Sequence, residues 1–250
     1  INQNVDAVVF AGDVVDSTNA RFEALAPLED SVRALVEAGI DVIAVVGNHD
    51  VEALPRLARL VDGFTLLGAG GQWEARPLFK NDRPVAEIVG WSFGEQRVRQ
   101  SPVAQLLAAP LDPSVKGVPR LGLLHADLNA SGGPYAPIKS AELKDTGFAA
   151  WFLGHIHKPS LNSAGDRGGG QIFGYLGSLS ALSPKEIGQR GPWLIEISDD
   201  GELSVSHQVQ SPVRWEHLPV SVDGLEDVED IPDHILDKAT LLAKRLIDED

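Results

Sequence analysis

Short apolar runs, several rich in β-branched residues, recur along this chain, and the most regular of them stop abruptly at polar clusters. Residues 5–10 read as a strand, followed by the loop Ala11-Gly12-Asp13-Val14-Val15-Asp16. Ser17 or Thr18 is placed to cap a helix running to about Ala38. Its stripe is Phe22, Leu25, Leu28, Val32, Leu35 and Val36, and Gly39 is placed to end it. Pro27, inside that stretch, predicts a kink or a break into two helices. Residues 41–46 are the next strand, so the order strand, helix, strand predicts a right-handed parallel crossover.

The remaining pattern predicts a helix over 51–60 and strands over 64–67 and 85–93, joined by a polar connection. A helix over 97–109, interrupted at Pro102, leads into a loop at 110–119. Residues 121–124 and 148–153 read as buried strands on either side of a Gly/Pro-rich loop at 131–137. The glycines at 165–170 read as a hairpin loop, because the Lys-Ser/Thr ending and following helix of a phosphate cradle are lacking. Residues 172–176, 193–197, 203–209 and 213–220 resemble antiparallel strands, with a turn at Asp199-Asp200-Gly201. An amphipathic helix is expected over 231–247, and a boundary near 210–212 divides a main domain, 1–210, from the start of a smaller one, 211–250.

Composition narrows the function classes. A 250-residue chain with 43% hydrophobic and 23% charged residues suits a globular protein with a full core. No apolar run approaches the ~20 residues needed to span a bilayer, and no signal-peptide pattern opens the chain, so a cytoplasmic location is expected. With no Cys there is no disulfide framework and no thiolate metal site, so any metal must be held by His, Asn, Asp or Glu. The absence of Met and the start at Ile1 predict that N-terminal residues precede this chain. The net charge is −15, of which residues 221–250 hold −7 and residues 1–220 the remaining −8. That balance counts against tight DNA binding by charge alone.

Chemistry enters at the ends of four apolar runs. They carry Asp13 and Asp16, then Asn48, His49 and Asp50, then His125, then His155 and His157. In a single sheet all four groups would converge on one edge, where open α/β sheets place their ligands. A single strand-end His is usually structural; four aligned groups drawn from His, Asn and Asp point to a divalent-metal site. Carboxylates can bridge two cations, and neutral imidazoles favour Mn²⁺, Fe²⁺ or Zn²⁺ over Mg²⁺. A serine-hydrolase triad is disfavoured, because no Gly-x-Ser-x-Gly elbow is present.

In this order Gly12-Asp13-x-x-Asp16, Gly47-Asn48-His49-Asp50, His125 and Gly154-His155-x-His157 resemble the calcineurin-like metallophosphoesterases. Gly177-Ser178 and the run Pro184-Lys185-Glu186-Ile187-Gly188-Gln189-Arg190-Gly191 make the chain most similar to DNA double-strand-break nucleases of the SbcD type. The resemblance covers about residues 5–210 and implies a two-sheet α/β sandwich flanked by helices, with 211–250 beginning a capping domain. It also implies two divalent ions, Mn²⁺ foremost, a DNA substrate, a homodimer and an SMC-like ATPase partner of the SbcC type.

Carried over by position, Asp13 would bridge the metals, with Asn48, His125 and His155 completing one site and His157 belonging to the other. His49 would protonate the leaving oxygen, a role suited to an imidazole that titrates near neutral pH. Asp16 would hold the His49 ring; Asp50 is the weaker alternative for that role and can equally be a turn former. The family's upstream Asp-x-His does not occur among the twelve residues before Asp13. Two readings stand beside the nuclease: a phosphoesterase acting on a nucleotide or other small phosphate ester, which the acidic balance favours, and a non-catalytic subunit lacking the first metal site.

Overall fold

The computed structural model describes residues 4–15, 23–161 and 171–249. The opening crossover forms as its pattern predicts, from β1 (Ala7–Ala11), α1 (Leu25–Glu37) and β2 (Asp41–Val45), with the two strands parallel. Pro27 lies in the first turn of α1, where a missing N–H breaks no helical bond, so the helix begins there instead of kinking. The expected caps Ser17 and Thr18 lie outside the described residues. After α2 (Leu54–Ala58), β3 (Phe64–Leu66) joins the far side of β2 and completes a parallel sheet in the order β1-β2-β3.

A second sheet has the order β4-β5-β6-β7-β8. Its strands are β4 (Trp73–Lys80), β5 (Arg83–Trp91), β6 (Arg120–His125), β7 (Ala150–Gly154) and β8 (Ile172–Tyr175). β4 replaces the polar connection expected between 67 and 85. Its charges and Pro77 mask a strand, yet both are tolerated because β4 lies at the sheet edge and runs antiparallel to β5. β8 corrects a second expectation, since it pairs parallel with β7. A short apolar run has the same composition in either direction, so composition does not report strand orientation.

The hairpin of β9 (Trp193–Ile197) and β10 (Leu203–His207) is antiparallel, as expected. Residues 213–220 do not form the fourth strand: among the described residues their ladder contact is one bridge, Gly188 to Trp215. The helix expected over 97–109 begins at Pro102, as α3 (Pro102–Ala108), and residues 97–101 precede it outside the helix. Proline is at home in a first helical turn, and Ser101 caps it by accepting from the Ala104 N–H at 3.1 Å. α4 (Ser140–Asp145) was not legible, being too short to show a stripe, and α5 (Ile231–Glu249) forms where the periodicity places it.

Alternation along the strands sets the layers. Ile43 and Val45 share a buried cluster with Ile88, Leu121, Leu123 and Phe152, which fills the space between the sheets. Val42, Ala44 and Val46 belong instead with Val32, Leu54 and Leu57 of α1 and α2, while Leu124, Trp151 and Leu153 belong with Val103 and Leu143 of α3 and α4. Two sheets therefore lie face to face with helices outside, the two-sheet α/β sandwich the sequence implied. Each fully buried Leu, Ile or Phe in that core stabilises it by about 1.5–3 kcal/mol. At the C-terminal edge Ser92, wholly buried, accepts from the Val46 N–H at 2.9 Å and donates to the Leu67 carbonyl, tying the sheets together.

Candidate metal centre

The four polar groups come from both sheets, two from each. β1 and β2 deliver Asp13 and Asn48, and β6 and β7 deliver His125 and His155. They meet because the sheets converge closely at this edge. A Cβ on Gly154 would stand 1.8 Å from the Ala11 carbonyl oxygen, and one on Gly47 would stand 2.2 Å from Asp13 Oδ1. No side chain but hydrogen fits either gap. Asp13 and His155 hold left-handed backbones, φ +54° and +103°, of the kind kept only where neighbouring contacts over-determine them.

The protons around His125 can be placed. Its Nδ1 lies 2.9 Å from the Ala11 carbonyl, which can only accept, so Nδ1 carries the hydrogen. Burial pushes the imidazole down to about 4, against the opposing pull of Asp13, so the ring is neutral at pH 7 and Nε2 presents a lone pair. His155 is fixed likewise from outside: its Nε2 lies 3.2 Å from Asp127 Oδ1, which leaves the lone pair on Nδ1. His125 Nε2 then faces Asn48 Oδ1 at 3.0 Å, Asp13 Oδ2 at 3.3 Å and His155 Nδ1 at 3.3 Å. With these tautomers, three further electron-pair donors face His125 Nε2.

That donor set fits a divalent cation. Ligands about 2.0–2.2 Å from one ion lie about 3.0–3.4 Å from each other. Among the described residues no three His, Asp or Glu side chains are spaced as a preassembled cage; the set depends on the Asn48 carboxamide and on the outer contacts that hold the two imidazoles. The two His partners, the Ala11 carbonyl and the Asp127 carboxylate, are the outer contacts that ordinarily fix a ligand's tautomer. Asp127 was missed in the sequence as a partner for His155, although it stands two residues after His125 on the same strand end. Only the fold carries it to His155.

His157 is not brought into hydrogen-bond contact with the four. It is about half exposed, and its Nδ1 donates to Glu186 Oε1 at 2.7 Å, leaving Nε2 as its available donor atom. That hydrogen bond, with a second from the Leu182 N–H at 2.9 Å, holds the Glu186 carboxyl below the usual range. Glu186 lies in the run that distinguished the nuclease resemblance, though its contact with His157 had no signal in the spacing.

The His49 backbone N–H donates to Asp13 Oδ1 at 3.0 Å, and its side chain lines an open cavity of about 210 Å³ with Asn48, Gln96, Arg97 and Tyr135. Asp16 lies outside the described residues. Asp50, expected as the weaker His49 partner or a turn former, is wholly buried and clamps the two loops, accepting from Gly47 N and Val14 N at 2.7 Å each. Burial first, and the Asp13 charge second, push its carboxyl up to about 7.

The Calcineurin-like phosphoesterase family profile matches residues 1–159. The uncharacterised metallophosphoesterase YhaO of Bacillus subtilis is 26% identical over 98% of this chain and 58% of its own length. The DNA double-strand break repair protein Mre11 of Halobacterium salinarum is 27% identical over 89% of this chain and 54% of its own length. The chain thus spans little more than half of these curated relatives. A crystal structure, TT1561 of Thermus thermophilus, is 13% identical and covers 82% of this chain and 88% of its own, with a TM-score of 0.43, too slight a likeness to carry weight. With the profile spanning more than half of the chain, this chain belongs to the calcineurin-like phosphoesterase family.

Proposed function

We propose that this chain is the catalytic portion of a metal-dependent DNA nuclease that hydrolyses phosphodiester bonds. The observation that carries the reading is the convergence of Asp13, Asn48 and His155 on His125 Nε2, beside a cavity that Asn48 and His49 line. A second cation would be held by Asp13 and His157. Divalent cations held there would neutralise the phosphate charge and polarise the phosphorus centre, and the chemistry of the donors suits Mn²⁺, with Fe²⁺ or Zn²⁺ as the other candidates.

The rest falls to the chain's own residues. Asp13 Oδ1 accepts the His49 N–H and fixes the backbone that aims the imidazole. His49 donates a proton to the departing oxygen, a step an imidazole performs well near neutral pH. Asp16 is assigned to orient that ring. The DNA substrate is supported by the names of the Mre11 relatives, as are the homodimer and the SMC-like ATPase partner by the SbcD-type resemblance. The cytoplasm is the compartment this reading implies. Residues 211–250 are assigned to the capping domain.

The net charge of −15 favours a second reading, a small phosphate ester that needs no extended basic surface. One experiment separates the two. The full-length protein is incubated with linear DNA and with bis(p-nitrophenyl) phosphate in Mn²⁺, alongside His49→Ala. The nuclease reading expects DNA cleavage that falls at least a hundredfold in the variant, within the usual 10²–10⁴ for a lost general acid. Hydrolysis of the small diester with no DNA cleavage would establish the second reading, and equal rates in both proteins would remove His49 from the reaction.

A further inference from the structure

We infer that residues 96–100 form a phosphate track beside the centre, in which Arg97 and Arg99 bind phosphates flanking the scissile one. This rests on the phosphodiesterase reading above and deepens it, since two successive cations serve a substrate with several phosphates in a row. Arg97 lines the same cavity as Asn48 and His49. Arg99 follows two residues later, about 6.5 Å along extended chain.

The segment is held rigidly. The Val98 N–H donates to the Pro134 carbonyl at 2.7 Å, and its own carbonyl accepts from Ala136 N at 2.8 Å, in a parallel bridge to Tyr135. The Val98 side chain packs against the hydrophobic core. Arg97 and Arg99 on either side of it are exposed. Ser101 anchors the other end, capping α3 and donating its hydroxyl to Glu142 at 2.9 Å. Tyr135, fixed by the same bridge, lies with its ring centroid 5.1 Å from that of His155, so the track is coupled in position to the centre.

Charge points the same way. Among the described residues neither arginine has an ion-pair partner, although the chain carries 36 acids to 21 bases and Glu95 is close in sequence. Glu87, by contrast, is committed to Arg120 at 2.7 Å, and Glu186 to His157. In a chain of net charge −15, the Arg97 guanidinium at the cavity wall and the exposed Arg99 two residues on offer an anionic substrate a local well in an otherwise repulsive field. Arginine also matches phosphate with two parallel donors. Because the backbone is already fixed, little ordering is needed on binding.

The test is a binding titration on the full-length protein, followed by fluorescence anisotropy of a labelled single-stranded oligonucleotide from 50 to 300 mM NaCl. Wild type is compared with R97E/R99E and with the charge-preserving R97K/R99K. The track predicts binding at least roughly tenfold weaker for R97E/R99E at 50 mM salt, and a slope of log K against log[salt] shallower by about 0.7 per arginine, the single-strand value. R97K/R99K retains the slope, which a merely structural role would not require. Cleavage of the same oligonucleotide in Mn²⁺ is read in parallel. If wild type binds but does not cut, and R97E/R99E loses binding, the nuclease reading fails while the track stands. If wild type cuts and R97E/R99E binds with an unchanged slope, the track is wrong and the nuclease reading survives. No measurable oligonucleotide binding by wild type overturns both.

Discussion

At the scale of single residues, the centre is governed by where hydrogens are not. His125 and His155 each give their N–H to a partner outside the cluster, Ala11 and Asp127, and turn a lone pair inward. Removing the outer partner should therefore act through the metal. Asp127→Ala is expected to weaken Mn²⁺ binding by about 10–100-fold with the fold intact, read by isothermal titration calorimetry beside a circular dichroism spectrum; unchanged affinity would show that Asp127 does not set the His155 tautomer.

Another carboxylate makes the opposite case, a charge serving stability alone. Glu87 has no exposed side-chain surface; burial pushes its carboxyl up, but the Ser114 hydroxyl and N–H and the Arg120 guanidinium pull it further down. A folded value below the unfolded one means the proton binds the unfolded chain better. The stabilisation is full above the ordinary carboxylate range and is lost as pH falls through the folded value. Glu87→Gln is expected to cost about 1–3 kcal/mol at pH 7 and to flatten the acid limb of the stability curve, measured by urea melts between pH 3 and 7.

At the scale of elements, the decisive event is the meeting of strand ends from two different sheets. β1 and β7 come together at Gly154, whose missing side chain lets the Ala11 carbonyl lie where a Cβ would be. Gly154→Ala would put the new Cβ 1.8 Å from that carbonyl oxygen, against backbone that cannot swing away. The expected result is a loss of more than about 3 kcal/mol, at the upper end of overpacking costs, with Mn²⁺ binding lost in whatever fraction remains folded. A thermal melt and a calorimetric titration check both; a melting temperature within a degree or two of wild type would mean the sheets can separate without harm.

The element that escaped the pattern is as informative as those it revealed. β4 carries Glu74, Arg76, Pro77 and Lys80 and has strand character because β5 offers it an edge. The helix stripe read from 97 onward stops at Pro102, and residues 97–101 lie outside it because Val98 pairs with the 134–136 segment. That correction is what puts Arg97 and Arg99 along one exposed strip.

At the scale of the whole molecule, the proposed centre would make the folded state of this acidic chain a cation receptor. A ligand at a hundred times its dissociation constant adds about 2.7 kcal/mol to the folded state, which for a chain of this size raises the melting temperature by roughly 5–10 °C. Saturating Mn²⁺ should produce that rise and EDTA should reverse it, followed by differential scanning fluorimetry. His125→Ala should abolish the rise; a rise that persists in the variant would place the cation elsewhere. No helix among the described residues is long and apolar enough to cross a membrane.

Much of this was already present in the chain. The identities of the donors, their position just past apolar runs, the glycines beside them and the parallel opening crossover follow from local chemistry, because a strand's alternation and a loop's polar residues are properties of neighbours in sequence. The sequence alone also narrowed the centre to His, Asn, Asp and Glu by excluding Cys. What only the tertiary structure decided is everything that depends on distant partners. The donors come from two sheets instead of one edge, Asp127 and Glu186 orient the imidazoles, Asp50 is a buried clamp, and β8 runs parallel. Each of these turns on contacts that the fold alone assembles, and no period along the chain encodes which distant group a lone pair will face.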